Sequence, residues 1–324
     1  MSVGAYRDAL SPARAGAATV FNPSSLPVTV VEQKPIDLKK DRDALGLFEL
    51  EQLEVSFDEP NSALWTFMRP RGRPSYNLAM LDDIHALQRG IVAKFAERPN
   101  DLRYLVAGSR TFGVFSLGGD LELFAALTRK KDRLGLVEYG KSCVRILHRF
   151  YHALDLPIIT IGLAQGDALG GGFESLLSFN ILIAERDAKF GFPEALFGLF
   201  PGMGAYSLVA RRIGAAYAEE MMLSGKTYSA EEMKDAGLIH MVVDPGQGIE
   251  AARDYMQRNK RRHAGLRGVF QAGREVTPLS LAELDRIVTI WADACMELTE
   301  RDLKLMQRLV SAQDRLQGTM QAAE

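Results

Sequence analysis

The chain predicts an α/β core with a parallel component, followed by a helical C-terminal region. Three observations carry this reading. From Phe48 onward the hydrophobic pattern runs strand, turn, strand, helix, strand, helix. The run Pro157-Ile158-Ile159-Thr160-Ile161 is too short for a buried helix and is rich in β-branched residues, so it reads as a buried strand. After about residue 245 strand patterns cease and capped helices take over.

Size and charge bound the function. With 324 residues, 47% of them hydrophobic and 25% charged, the chain can bury a substantial core. Lysine plus arginine total 39 against 41 acids, a net charge of −2, which excludes a global field that draws in nucleic acid or an anionic membrane. Two cysteines, Cys143 and Cys295, lie far apart in apolar helical patterns, neither a disulfide framework nor a zinc spacing. A reducing cytoplasm fits. No signal core and no run of 18 apolar residues is present, so no membrane span is expected.

Residues 1–45, rich in Ala, Ser, Pro and charge, are expected to be a mobile extension. Residues 46–245 form the expected α/β core and 246–324 a helical region. FELEQLEVSF and SALWTFM, separated by Glu59-Pro60-Asn61, read as a strand pair. Leu78, Leu81, Ile84, Leu87, Ile91 and Phe95 recur at helical spacing, and YLVAGS is another strand. A long helix near 132–154 carries Leu136, Cys143, Leu147 and Phe150 and stops before Pro157. Ser229-x-x-Glu232, Ser280-x-x-Glu283 and Thr299-x-x-Asp302 each open a helix.

Candidate chemistry lies in three segments. In PIITIGLAQGDALGGGFESLLSFNILIA a strand and three glycines lead into a helix beginning near Phe173. Bare glycines let the main chain approach a ligand, and a helix start presents free N–H groups, which suits a developing oxyanion. Glu174 sits in the first turn, where a purely dipolar role is an equal reading on this segment alone. In AKFGFPEALFGLFPGMGAYSL one acid, Glu194, stands among Phe190, Phe192, Pro193, Leu196, Phe197 and Phe200. Such surroundings raise a carboxyl pKa as a general acid requires, although a solvated loop glutamate also fits. In SRTFGVFSLGGDLELF, Gly119 precedes an Asp and a helix and offers a second oxyanion donor. Two such donors are worth roughly 3 kcal/mol each in a dry site. The five histidines fit no Ser–His–acid set.

Together, in this order and spacing over about residues 48–245, the three segments resemble the crotonase (enoyl-CoA hydratase/isomerase) superfamily. The resemblance implies a spiral of ββα units, oxyanion amides from Gly119 and Gly171, a glutamate pair at Glu174 and Glu194, and a homotrimer. GLAQGDALGGGFE, FGFPEALFGLFPGMGAYS and IVTIWADACMELTERDLKLMQRLV are most similar to the diffusible signal factor synthases of RpfF type. That subfamily implies dehydration of a 3-hydroxyacyl group on acyl carrier protein, then thioester cleavage to a cis-2-unsaturated acid. It further implies an acyl pocket of Leu169, Gly170, Met203, Trp291 and Leu309, apolar or bare residues that core packing alone would also explain. Gln165-Gly166-Asp167 departs from the Asn-Gly-apolar turn usual in hydratases and weighs against ordinary β-oxidation.

The expected mechanism needs no metal, nucleotide or redox cofactor. One glutamate removes the α-proton of a thioester polarised by Gly119 and Gly171, and the other, Glu194 for preference, protonates the departing hydroxyl. Two other readings stay open: a conventional enoyl-CoA hydratase or isomerase, and a docking protein for a signalling sensor or receptor.

Overall fold

A computed structural model describes residues 50–308 and 311. The expected N-terminal extension and Leu309 lie outside the described residues. β1 (Leu53–Asp58) and β2 (Ala63–Met68) form an antiparallel hairpin, in register from Leu53 opposite Met68 to Asp58 opposite Ala63. Its turn, Glu59–Asn61, is fixed by the Asp58 side chain accepting from the Asn61 N–H. Next to β2, β3 (Tyr104–Ser109) joins in parallel, followed across the sheet by β5 (Ile159–Ala164), β7 (Ile181–Glu185) and β10 (Met241–Val243).

β3, β5 and β7 each lead into a short partner in a second sheet: β4 (Val114–Ser116), β6 (Asp167–Leu169) and β8 (Lys189–Gly191). These run parallel, with β9 (Thr227–Ser229) antiparallel on β8. Strand, short strand, helix is thus the repeating unit, and the chain winds as a ββα spiral. Periodicity does not reveal this second sheet, because three-residue strands contain too few alternations to register.

The larger sheet is buried on both faces, which explains its nearly unbroken apolar strands. Trp65, Phe67, Val106, Ile161 and Ile183 face an outer layer containing Ile249, Ala252 and Met256 of α8 (Gly248–Asn259). Leu64, Leu105 and Leu182 face inward, toward α1 (Leu78–Phe95), α3 (Arg133–Tyr151) and α10 (Leu281–Glu297). The N-caps follow the sequence: Asn77, Asp132 and Ser229 each accept an N–H three residues on, and Ser229 with Glu232 closes a full capping box. At α10 only half of the expected box forms. Ser280 accepts from Glu283 N–H at 3.1 Å, but the Glu283 carboxylate turns to Arg211 at 2.8 and 2.7 Å, a charge-assisted pair stronger than a neutral cap bond. Among the described residues no helix is long and apolar enough to cross a membrane.

α3 and α10 approach closely where α3 has a glycine: a Cβ on Gly140 would lie 2.6 Å from Val288 Cγ1. Gly140→Ala is expected to cost about 1–3 kcal/mol in urea denaturation through overpacking. Val288→Ala in the Gly140→Ala background is expected to restore part of that loss, and strictly additive costs would show that the two positions do not press on each other.

Candidate active site

The site is assembled where β4 and β6 of the small sheet end. After β6 the chain passes through Gly170, whose φ of 51° and ψ of −127° only glycine adopts without strain. The Gly170 carbonyl accepts from the Phe173 and Glu174 N–H groups, starting α4 (Gly171–Leu176). This helix begins two residues earlier than the sequence predicts, because glycine supplies its first turn. Beyond β4, Gly118, at φ 91°, turns the chain into α2 (Leu121–Arg129), which Asp120 caps by accepting from Leu123 N–H.

These two turns touch. A Cβ on Gly118 would lie 2.8 Å from Gly171 N, and one on Gly171 would lie 3.4 Å from Gly119 N. The Gly119 and Gly171 amides therefore adjoin, and neither has an acceptor among the described residues. Tyr76 N–H, donating to the Gly118 carbonyl at 2.8 Å, holds the first turn in place.

Glu174 follows Gly171 by three residues and is 2% exposed. Its Oε1 accepts from Met203 N–H at 2.8 Å and Ala205 N–H at 2.9 Å. Burial raises its pKa to about 7, against the pull of those two amides toward the ionised form. Glu194 lies in the short helical turn Pro193–Phe197 after β8. Its Oε1 occupies the space over Gly170 that any side chain there would need. Its Oε2 is shielded from solvent and has no hydrogen-bond partner among the described residues. Burial first, and the charge of Glu174 second, push the Glu194 pKa up to about 8. The two carboxyls titrate as a pair, and near neutrality they favour one proton and one charge.

An apolar cavity of about 710 Å³, its open mouth included, has Gly171 and Glu174 in its lining. Its walls include Leu81, Ile84 and Leu87 of α1, Ile146 and Phe150 of α3, and Phe179. This lies in the size range of small-molecule sites. The Tyr76 hydroxyl and Ser175 Oγ, 2.6 Å apart, bring polarity to the lining beside Glu174. Among the described residues no group of three or more His, Cys, Asp or Glu side chains is placed to hold a metal ion.

The structure thus brings Gly119, Gly171, Glu174 and Glu194 together, and it places Met203 both on the cavity wall and on Glu174. Gly170 lies under the Glu194 carboxylate, Leu169 is buried in β6, and Trp291 packs on Gly202 and Phe124; none of the three is among the cavity-lining residues. Sequence reasoning missed the contribution of α1 and α3 and the Tyr76–Ser175 pair. Helical periodicity reports which face is apolar, not whether that face meets protein or a cavity.

The sequence matches the family described as Enoyl-CoA hydratase/isomerase over residues 66–273. It is 26% identical over 256 residues to a probable mitochondrial enoyl-CoA hydratase 2 of Arabidopsis thaliana, covering 79% of this chain and 77% of that one. It is 30% identical over 208 residues to the fatty acid oxidation complex subunit alpha of Idiomarina loihiensis, covering 64% of this chain but 27% of that protein. Among solved structures, an enoyl-CoA hydratase from Bacillus halodurans superposes with a TM-score of 0.66 at 21% identity, over 79% of this chain and 100% of that one. Pseudomonas aeruginosa DspI superposes with a TM-score of 0.58 at 25% identity, over 71% and 84%. With the ββα spiral and a family match spanning most of the described residues, the chain belongs to the enoyl-CoA hydratase/isomerase family of the crotonase superfamily.

Proposed function

We propose that the chain dehydrates a 3-hydroxyacyl group carried on acyl carrier protein and then hydrolyses the thioester, releasing a cis-2-unsaturated fatty acid of the diffusible signal factor type in the cytoplasm. The supporting observation is a buried carboxyl pair beside two unengaged backbone amides, with Glu174 and Gly171 lining an apolar cavity. The alkyl chain lies in that cavity, and the thioester oxygen accepts from Gly119 and Gly171 N–H. Those donors stabilise the enolate formed when the α-proton leaves.

The surroundings support a division of roles between the two acids. Glu174, held by two amides, favours its charged form and serves as base toward the α-carbon. Glu194, with Oε2 lacking a partner, favours its protonated form and gives its proton to the departing 3-hydroxyl. As water leaves, Glu174 is protonated and Glu194 ionised, the reverse of the starting state. Hydrolysis restores it: Glu194 takes a proton from the water that attacks the carbonyl, the oxyanion rests on the same amides, and Glu174 protonates the leaving thiol. One proton inventory closes over both steps without an external acid or base.

A second reading, reversible hydration of 2-enoyl-CoA, is favoured by the names of the Arabidopsis and Rhizobium meliloti relatives, both probable enoyl-CoA hydratases. Supplying a 3-hydroxyacyl carrier protein and, separately, crotonyl-CoA discriminates. Mass spectrometry is expected to find free 2-enoic acid from the carrier substrate, and rapid hydration of crotonyl-CoA without free acid would assign the chain to the second reading.

Glu174→Gln and Glu194→Gln are each expected to lower kcat by roughly 10²–10⁴-fold, with circular dichroism unchanged. Near-normal turnover by either variant would remove that residue from the mechanism.

The pair also sets a pH dependence. Catalysis needs one charge and one proton, so kcat is expected to be bell-shaped, with limbs belonging to the pair near about 7 and about 8. Both carboxyls hold protons more tightly folded than unfolded. Their contribution to stability is therefore intact below the ordinary value of 4.5 and lost as pH rises through about 7 to 8. The Glu174→Gln/Glu194→Gln double variant escapes that loss. Its Tm relative to the parent chain is expected to rise between pH 5 and 9, and a flat difference would count against both carboxyls being buried together.

A further inference from the structure

The family match ends at residue 273, yet α10, beyond it, reaches both halves of the site. Leu284, Val288 and Trp291, four and three residues apart, share one face of α10 and are buried. A Cβ on Gly204 would meet Leu284 at 3.4 Å, and the Trp291 indole fills the space over Gly202 so closely that any side chain there would overlap it. Between those glycines stands Met203, whose N–H holds Glu174. The second amide on Glu174 comes from Ala205, the first residue of α5 (Ala205–Ile213). Glu283 of α10 ties that helix down, accepting from Ser207 Oγ at 2.6 Å and from Arg211 at 2.8 and 2.7 Å.

The other edge of Trp291 serves the oxyanion side. Its ring meets Phe124 edge-on, centroids 5.0 Å apart at 69°. Phe124 in turn covers the Cα of Gly119, leaving no room for a Cβ, and stands edge-on to Tyr139 at 5.0 Å and 80°. The Tyr139 hydroxyl donates to the Tyr76 carbonyl at 2.6 Å and accepts from Asp120 N–H at 3.2 Å, gripping the residue that follows Gly119. One 2%-exposed indole thus abuts the loop that fixes Glu174 and the ring that fixes Gly119, while remaining outside the cavity lining.

We propose that Trp291 is a positioning residue for both the amide clamp on Glu174 and the Gly119 amide, which makes α10 part of the catalytic apparatus. The inference rests on the two-carboxylate chemistry proposed above. Emptying the indole's place lets the Gly202-Met203-Gly204 loop relax, and the amides that favour ionised Glu174 weaken.

The test compares Trp291→Ala, Trp291→Phe and Glu283→Gln in the full chain. In Trp291→Ala, kcat is expected to fall by about 100-fold, the scale of a sub-ångström to 1 Å misplacement, with KM within roughly 3-fold. The acid limb of the pH profile is expected to move upward, because Glu174 loses stabilisation of its charge. Trp291→Phe should recover most of both effects, and Glu283→Gln should shift the limb in the same direction by less. A readout independent of turnover is the 13C NMR titration of the Glu174 carboxyl in a Glu194→Gln background, expected to rise by about one unit when Trp291→Ala is added. An unshifted titration, a loss confined to KM, or a Trp291→Phe no better than Trp291→Ala would overturn the proposal. Should Trp291→Ala fail to fold, an unshifted limb in Glu283→Gln overturns it equally. If the parent chain turns over neither thioester while the titration still moves, the functional reading falls and the positioning role stands.

Discussion

Two buried carboxyls within electrostatic reach of each other cannot both ionise cheaply, and the rest of the site follows from that constraint. The fold must keep both near one small volume, yet give one of them a reason to hold charge. It does so asymmetrically. Glu174 receives two backbone N–H donors at 2.8 and 2.9 Å from the Met203–Ala205 segment, whereas the buried Oε2 of Glu194 receives none among the described residues. Side-chain donors would achieve the same polarity, but backbone amides bring no titration of their own and cannot rotate away. The loop that offers them therefore has to be held as firmly as the acids themselves.

That demand accounts for the glycines, which are sites where something else occupies the position of a side chain. Over Gly170 it is the Glu194 carboxylate, over Gly202 the Trp291 indole, over Gly119 the Phe124 ring. Each bare Cα lets a distant element come within van der Waals contact of main chain, so that α2, α10 and the turn after β8 all bear on the same few peptide units. Glycine loses more backbone freedom on folding than other residues, so such a cluster is stable only inside a rigid frame. The large sheet, buried on both faces, supplies that frame.

Much of this was legible in the sequence, and the boundary has a physical cause. The hairpin of β1 and β2, the helices α1 and α3, and β5 are long enough to display their periods. The strands β4, β6 and β8 are three residues each, and their pairing is specified by partners distant in sequence. At the site, Gly119, Gly171, Glu174 and Glu194 were each ambiguous alone, and the order and spacing of their three segments, through the resemblance to the crotonase superfamily, set them apart. The clamp on Glu174 did not, since the Met203 and Ala205 amides carry no side-chain signature. Trp291, expected beside the acyl chain, packs against Gly202 of that loop. An apolar aromatic has the same sequence signal in either place. The polar Asp167, unusual for its turn, accepts from Lys189 N–H at 2.8 Å and so joins β6 to β8, which gives it a structural use that the resemblance to hydratases does not contain.

Substrate preference and acid–base competence in this site share one origin. On the proposed reading, a cavity walled by Leu81, Ile84, Ile146 and Phe150 takes an alkyl chain because it excludes water. Burial raises both carboxyl pKa values toward neutrality, and in the proposed reaction it would strengthen the field of the Gly119 and Gly171 amides on a thioester oxygen. A filled cavity is drier than an open one, so on the proposed reading the alkyl chain completes the environment of Glu174, the carboxyl that lines it. Binding energy from methylenes that never react is thereby converted into a property of the acids that do. A short acyl group, which leaves part of the cavity to solvent, binds more weakly and also meets a less competent pair. On that reading, discrimination by chain length is expected in kcat as well as in KM.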